Sequence, residues 1–400
     1  MSNLVPRRIL LFVSRSGDYM RFSVIQHDGK LGEMFEVLLT SLDRRSQSIR
    51  KAARILSELH IQSPAHPPGR NKVLDAVLRV AEQGYGLRVQ VFGTPASAKR
   101  LAKRIEEENL QVIFVVDHSV PVHPPYGLMF GPNFPTANDL YDKSLIGGFW
   151  RQKHGVSVVY SVGGQIPTPS EYFEGPAPFH ADRTKIFGVF HRKAVGYAHD
   201  RPLKWPDSAY SAREFKQKWR RKAGDFNVIY FFCHAKGERL QIGTSGESLD
   251  DDLCPEDLSE SINSCENVDF PGGLIFLNGC ETAVFSGSGH WLSATRSCGF
   301  SGFIGTEAII PTRFAWPFGN DLLQYLLSEE KSLLEALKVL WDRHWPMSLL
   351  YSLYCVADVN VRPAMVADYL QRVQLANYSD LPFTNVTFGE EQYSTLPFTQ

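Results

Sequence analysis

The chain has 400 residues, 43% of them hydrophobic, with 42 Lys and Arg against 43 Asp and Glu. That is enough apolar material for a sizeable core without staples, and the formal net charge of −1 argues against nucleic acid as a direct partner. The six cysteines (233, 254, 265, 280, 298 and 355) include no Cys-x-x-Cys pair, which excludes a zinc ribbon or disulfide framework and suits free thiols in a reducing cytosol. With no signal-peptide pattern and no apolar stretch of membrane-spanning length, a cytoplasmic protein without a membrane partner is expected.

The pattern opens with two strands, 8–14 and 21–26, joined by a turn at Gly17-Asp18. A helix over 41–60 carries Ile49, Ala52, Leu56 and Leu59 on one face, with arginines and lysine on the other. After a proline-rich loop, a second helix spans 71–83, with Val73, Val77, Val80 and Ala81 inward and Gly84 as its stop. A strand over 87–92 follows, then a helix capped by Thr94 with Pro95 in its first turn, running to 108. The next strand, 112–116, ends at Asp117-His118. Asp117 thus stands where open α/β sheets bind ligands, although a solvated loop start is the simpler reading. His118 and His123 lack a third partner at metal-ligand spacing, so no metal is expected.

Residues 126–180 are rich in Gly, Pro and aromatics and read as a long excursion with one strand, 156–161. A strand over 185–191 and a helix over 211–222 come next. That helix sets Phe215 and Trp219 on one face among Arg213, Lys216, Lys218, Arg220, Arg221 and Lys222, a solvated face by preference and an acidic partner's dock as the alternative. The glycine-rich pieces at 243–246 and 287–289 lack the lysine and spacing of a phosphate loop, so no nucleotide cofactor is expected.

The chain is organised around two short apolar runs. One, 226–233, ends at His234. The other, 274–277, is bounded by glycines and ends at Gly279-Cys280. As parallel neighbours they bring His234 and Cys280 to one strand edge, and the 46 positions between them leave room for a crossover helix beginning near Pro255. Each residue alone is unremarkable chemistry. Together they form a nucleophile with an acid–base partner. A helix-like start after Gly279 would favour the thiolate. Beyond it come a helix at 290–298, a strand at 301–305, helices at 318–327 and 331–344, and a strand at 350–357. Strands and helices alternate from residue 87 onward, the pattern of a doubly wound, largely parallel sheet. The tail repeats Leu-Pro-Phe-Thr at 381–384 and 396–399.

Phe232-Cys233-His234-Ala235-Lys236-Gly237 and Leu277-Asn278-Gly279-Cys280-Glu281-Thr282-Ala283 resemble the histidine and cysteine motifs of CHAT-domain peptidases, caspase-like and separase-like cysteine proteases of clan CD. Gly299 to Thr306 resembles the family's next strand and Phe318 to Leu340 its paired helices, so the resemblance covers about 226–360. The histidine–cysteine spacing is near the roughly 50 residues of caspases. The resemblance implies a caspase-like α/β fold, a largely parallel sheet flanked by helices on both faces. It implies four segments: an N-terminal layer at 1–85, a first α/β half at 86–225 with the excursion at about 120–180, a catalytic half at 226–365, and a tail at 366–400.

It also implies peptide-bond hydrolysis through a thioester, without cofactor or metal, on a protein substrate. A separate regulatory protein is expected because no tetratricopeptide repeats are visible. The setting it implies is bacterial antiphage defence or programmed death. The oxyanion would be held by backbone N–H groups of Cys280 with Ala235 or Gly237. The chain departs from the family in having Ala235 where a glycine follows the histidine, and Glu307-Ala308 where an aromatic follows Gly-Thr. Asp117, Asp250, Asp252, Asn278 and Glu307 are the expected lining of the substrate pocket. Carboxylates there would take a basic or uncharged residue before the scissile bond and not an aspartate. Two alternatives stand beside this reading: a non-catalytic CHAT-like scaffold, and another cysteine-dependent amidase or acyltransferase.

Overall fold

The structure, a computed structural model, describes residues 7–26, 29–61, 68–117, 119–136, 147–161, 186–191, 207–222, 226, 228–242, 252–258, 273–284, 291–298, 300, 302–328 and 333–355. Two compact units emerge. The first is Met1–Ala177 with Val284–Ser288 and Ser352–Asp358. The second is Pro178–Ala283 with Gly289–Tyr351 and Val359–Gln400.

The first unit holds β1 (Arg8–Ser16), β2 (Tyr19–Ile25), β3 (Leu31–Leu38), α1 (Leu39–Ile61), α2 (Arg70–Phe92), α3 (Ala96–Glu107), β4 (Gln111–Asp117), α4 (Trp150–His154) and β5 (Ser157–Ser161). Its five-stranded sheet runs β3-β2-β1-β4-β5. The β1–β2 and β2–β3 pairs are antiparallel, while β1–β4 and β4–β5 are parallel. Leu10, Phe12, Ile25, Ile113, Val115 and Val159 cluster in its core. Gly17, at φ 61°, makes the β1–β2 turn.

Two expectations change here. Strand β3 was not anticipated, because Leu31, Met34 and Leu38 on its outer side are 43, 55 and 38% exposed and erase the polar–apolar alternation. The strand expected at 87–92 is instead the end of α2, which continues through Gly84. That glycine is a point of close approach and not a stop: a Cβ there would lie 2.1 Å from the Leu128 carbonyl oxygen. Leu87, Val91 and Phe92 are buried at helical spacing.

The second unit holds β6 (Ile186–Phe190), β7 (Asp207–Ala209), α5 (Ala212–Lys222), β8 (Val228–Phe232), β9 (His234–Lys236), β10 (Arg239–Gln241), β11 (Asp252–Leu253), β12 (Leu274–Asn278), α6 (Trp291–Ser297), β13 (Gly302–Thr306), α7 (Thr312–Ser328), α8 (Leu333–Arg343) and the first residue of β14 (Tyr351–Cys355), whose other residues count with the first unit. A six-stranded sheet runs β14-β13-β12-β8-β6-β7, and β9, β10 and β11 form a small antiparallel sheet. From β7 through β13 the pairs of the large sheet are parallel. Every residue of β6, β8, β12 and β13 is buried, as strands covered on both faces must be.

The fold is therefore mixed α/β with helices against the sheets, such as α3 on β3, α5 on β7 and α6 on β13. In place of the single doubly wound sheet of the sequence reading, the described strands form three sheets. Helix α7 starts at Thr312, six residues before the expected start, and carries Pro317 inside it. Helix α5 buries Phe215 and Trp219, whose rings stack at 5.8 Å. Ser211 caps it by accepting the Glu214 N–H, and the Glu214 carboxylate takes the Tyr210 N–H in return. Part of its basic run is paired, Lys216 with Asp257 and Lys218 with Asp207 and Glu214. Among the described residues no helix is long and apolar enough to cross a membrane. The repeated Leu-Pro-Phe-Thr segments lie outside the described residues.

Candidate active site

Strands β8 and β12 pair from Val228 opposite Leu274 to Phe232 opposite Asn278. His234 and Cys280 thus each stand two residues beyond a paired position, at the same C-terminal edge. Phe-rich β8 breaks at Cys233, which is buried, and the exposed His234 opens β9. Gly279 permits the close approach. A Cβ there would meet the Cys233 carbonyl oxygen at 2.9 Å and the Ala235 Cβ at 3.5 Å, so the histidine segment and the cysteine turn touch at that glycine.

The turn is pinned to β13 by a pair of threonines that the sequence reading passed over. The Thr282 N–H donates to Thr306 Oγ1 at 3.3 Å and the Thr306 N–H donates to Thr282 Oγ1 at 3.0 Å. The Thr306 hydroxyl donates to the Gly279 carbonyl. Glu281 N–H and Ala283 N–H donate to Ala308 O and Thr306 O. Glu281 itself sits at φ 56°, in the left-handed region that a glutamate occupies only when its surroundings enforce it. The Thr in Cys-Glu-Thr and the last residue of the next strand were the available signals.

The thiol is not primed in the way the sequence reading held. Residues 280–283 form a turn and no helix begins at Cys280, so no helix dipole acts on the sulfur there. Burial pushes the thiol up from its ordinary value of 9.0, and the Glu281 carboxylate adds to the rise. Sγ donates to the Ile310 carbonyl at 3.9 Å, and among the described residues no hydrogen bond joins it to His234. Burial also pushes up Cys233, and Cys298 to about 12. Cys254 is raised by burial and by Asp257. Of these four thiols only Cys280 and Cys254 are partly exposed. Brief iodoacetamide treatment is therefore expected to label Cys280 and Cys254 ahead of Cys233 and Cys298, read by peptide mapping. The Cys280 rate should still be climbing at pH 9. A plateau already reached at neutral pH would mean the resting sulfur is a thiolate after all.

The small sheet arranges the histidine side. His234 lies opposite Gln241, and Gln241 lies opposite Asp252, so the three form one row across β9, β10 and β11. Residues in such a row share a face, and two strand spacings put the Asp252 backbone roughly 10 Å from that of His234. Asp252 is half-buried and faces Arg239 at 3.8 Å. Ala235 lies against Gly279, whereas Gly237, at φ 60°, is exposed at the β9–β10 turn.

Two of the other expected pocket residues, Asn278 and Glu307, are buried. Asn278 is 1% exposed. Its amide nitrogen donates to Tyr230 Oη at 2.9 Å and to Ala315 O at 2.6 Å, and its amide oxygen accepts from Tyr351 Oη at 2.6 Å. Glu307 is fully buried, with its N–H on Leu350 O. Asp117 ends β4 in the first unit, its carboxylate accepting the Ser119 N–H. Asp250, like His118, lies outside the described residues. Among the described residues no group of three or more His, Cys, Asp or Glu could hold a metal ion.

No family model matches the chain, and no curated protein does. Among solved structures it is similar to two crystal structures of the Saccharomyces cerevisiae separase–securin complex. The TM-scores are 0.47 and 0.48, each at 8% identity. The alignments cover 88 and 89% of this chain and 30% of the matched chain, so this protein spans about a third of the length of what it is aligned with.

Proposed function

We propose that the protein is a cysteine endopeptidase with Cys280 as nucleophile and His234 as acid–base group. The observation that supports this is the β8–β12 register, which brings the two residues to equal depth at one strand edge. In the reaction the Cys280 proton passes to His234 and the sulfur attacks the peptide carbonyl carbon. Protonated His234 then gives that proton to the departing amine, leaving a thioester. Water, deprotonated by His234, hydrolyses the thioester and restores the thiol. The N–H groups of Cys280 and Ala235 hold the oxyanion, Ala235 being preferred to Gly237 because it lies beside the cysteine turn.

In the substrate site Asp252, on the His234 row, selects a basic residue. Asn278 and Glu307, both buried, support the site and do not line it. The resemblance of the two motifs to those of CHAT-domain peptidases supports a role in regulated cleavage, as in antiphage defence or programmed death. A second reading, a scaffold without catalysis, draws on the raised thiol and the Ile310 hydrogen bond. A cleavage-site search in lysate decides between them. New protein N-termini should appear with the wild-type protein and be missing with Cys280→Ala. Identical N-terminal profiles in the two samples would favour the scaffold.

A further inference from the structure

We propose that His191 is a positioning residue of this dyad, holding the His234 ring in its working orientation; the proposal rests on the peptidase reading above. Three neighbouring strands, β12, β8 and β6, lead at one edge to Cys280, His234 and His191. The third of these was not singled out from the sequence, although it ends a strand just as His234 follows one.

The His191 backbone is fixed. Phe190 lies opposite Phe232 in the β6–β8 ladder, and the His191 N–H continues it by donating to Phe232 O at 2.8 Å. Behind it, Trp316 packs on both strand-end phenylalanines, 6.3 Å from Phe190 and 5.0 Å from Phe232 between ring centroids. His191 is accordingly 6% exposed. His234 is the opposite case. It is exposed, and among the described residues its side chain makes no hydrogen bond or ion pair. What touches its ring is His191, edge to face, with centroids 4.7 Å apart and planes at 70°.

An exposed imidazole turns freely about two bonds, and an acid–base group must present one nitrogen to the sulfur to work. An edge-to-face contact with a ring that cannot move selects among those orientations. The role calls for a flat ring at 191 and does not call for a proton from it.

The test uses the full chain and four variants: His191→Ala, His191→Phe, His234→Ala and Cys280→Ala. On a peptide taken from a Cys280-dependent cleavage site, His191→Ala should lower kcat about 10- to 100-fold with KM within about twofold of wild type. His191→Phe should restore most of the loss. A second measurement needs no substrate: at fixed pH, His234→Ala and His191→Ala should slow Cys280 alkylation by similar factors, and His191→Phe should not. Wild-type kcat in His191→Ala, or a loss confined to KM, overturns the proposal while leaving the peptidase intact. No Cys280-dependent cleavage at all, with the alkylation pattern as stated, overturns the peptidase and leaves the positioning role standing. Loss of turnover in His191→Phe as deep as in His191→Ala also overturns it, since a flat ring would then not suffice.

Discussion

Cys280→Ala and His234→Ala are each expected to abolish turnover while the protein stays folded. Loss of the acid–base group alone should cost about 10²- to 10⁴-fold, and loss of the nucleophile should leave no turnover through the thioester. The structural cost is small for physical reasons. His234 is exposed, so truncation opens no cavity. Cys280 is half-buried with a single long sulfur hydrogen bond, and removing its Sγ costs about 1 kcal/mol. The measurement is kcat/KM beside a thermal melt. Near-normal turnover in His234→Ala would remove it from the mechanism. A Cys280→Ala protein that unfolds would show the cysteine to be structural.

The largest effect on stability is expected two residues before Cys280. Asn278→Ala would leave Tyr230 Oη, Tyr351 Oη and Ala315 O each short of a partner in a dry interior. At about 1–3 kcal/mol for each stranded group, less what relaxation recovers, the loss is about 3 kcal/mol or more. For a unit of this size that lowers Tm by roughly 10 °C. Burial pushes both phenols up, so neither escapes by ionising. The network is tight on the helix side too, since a Cβ on Gly319 would come 2.3 Å from Tyr230 Oη. Tyr351→Phe removes one donor and should cost distinctly less. Equal melting of Asn278→Ala and wild type would show that the amide carries no load.

How much of this was legible follows from where the information sits. β8 and β12 are five-residue, fully buried runs, and such runs announce themselves in one dimension. Their common edge followed from them, with His234 and Cys280 each two residues beyond it. The role of Asn278 did not. A neutral residue two positions before the cysteine reads as pocket lining until Tyr230, Tyr351 and Ala315 are seen around it, from 37 to 73 positions away in sequence. The state of the thiol was hidden for the same reason: its burial and its Ile310 partner are properties of the assembled unit. Gly84 misled because a glycine that ends a helix and one that admits a neighbouring backbone look alike as letters.

The order of the chain has a consequence for its synthesis. His234 and Cys280 are made before three groups that brace the cysteine turn: Thr306 on the Gly279 carbonyl, Ala308 on Glu281, Ile310 on the sulfur. Domains fold as units during translation, and a parallel pair of strands waits for distant contacts. A ribosome that has delivered both side chains has therefore not yet delivered these braces. On the peptidase reading, a fragment that stops short of residue 306 lacks the bond to the Gly279 carbonyl and is expected to cleave nothing.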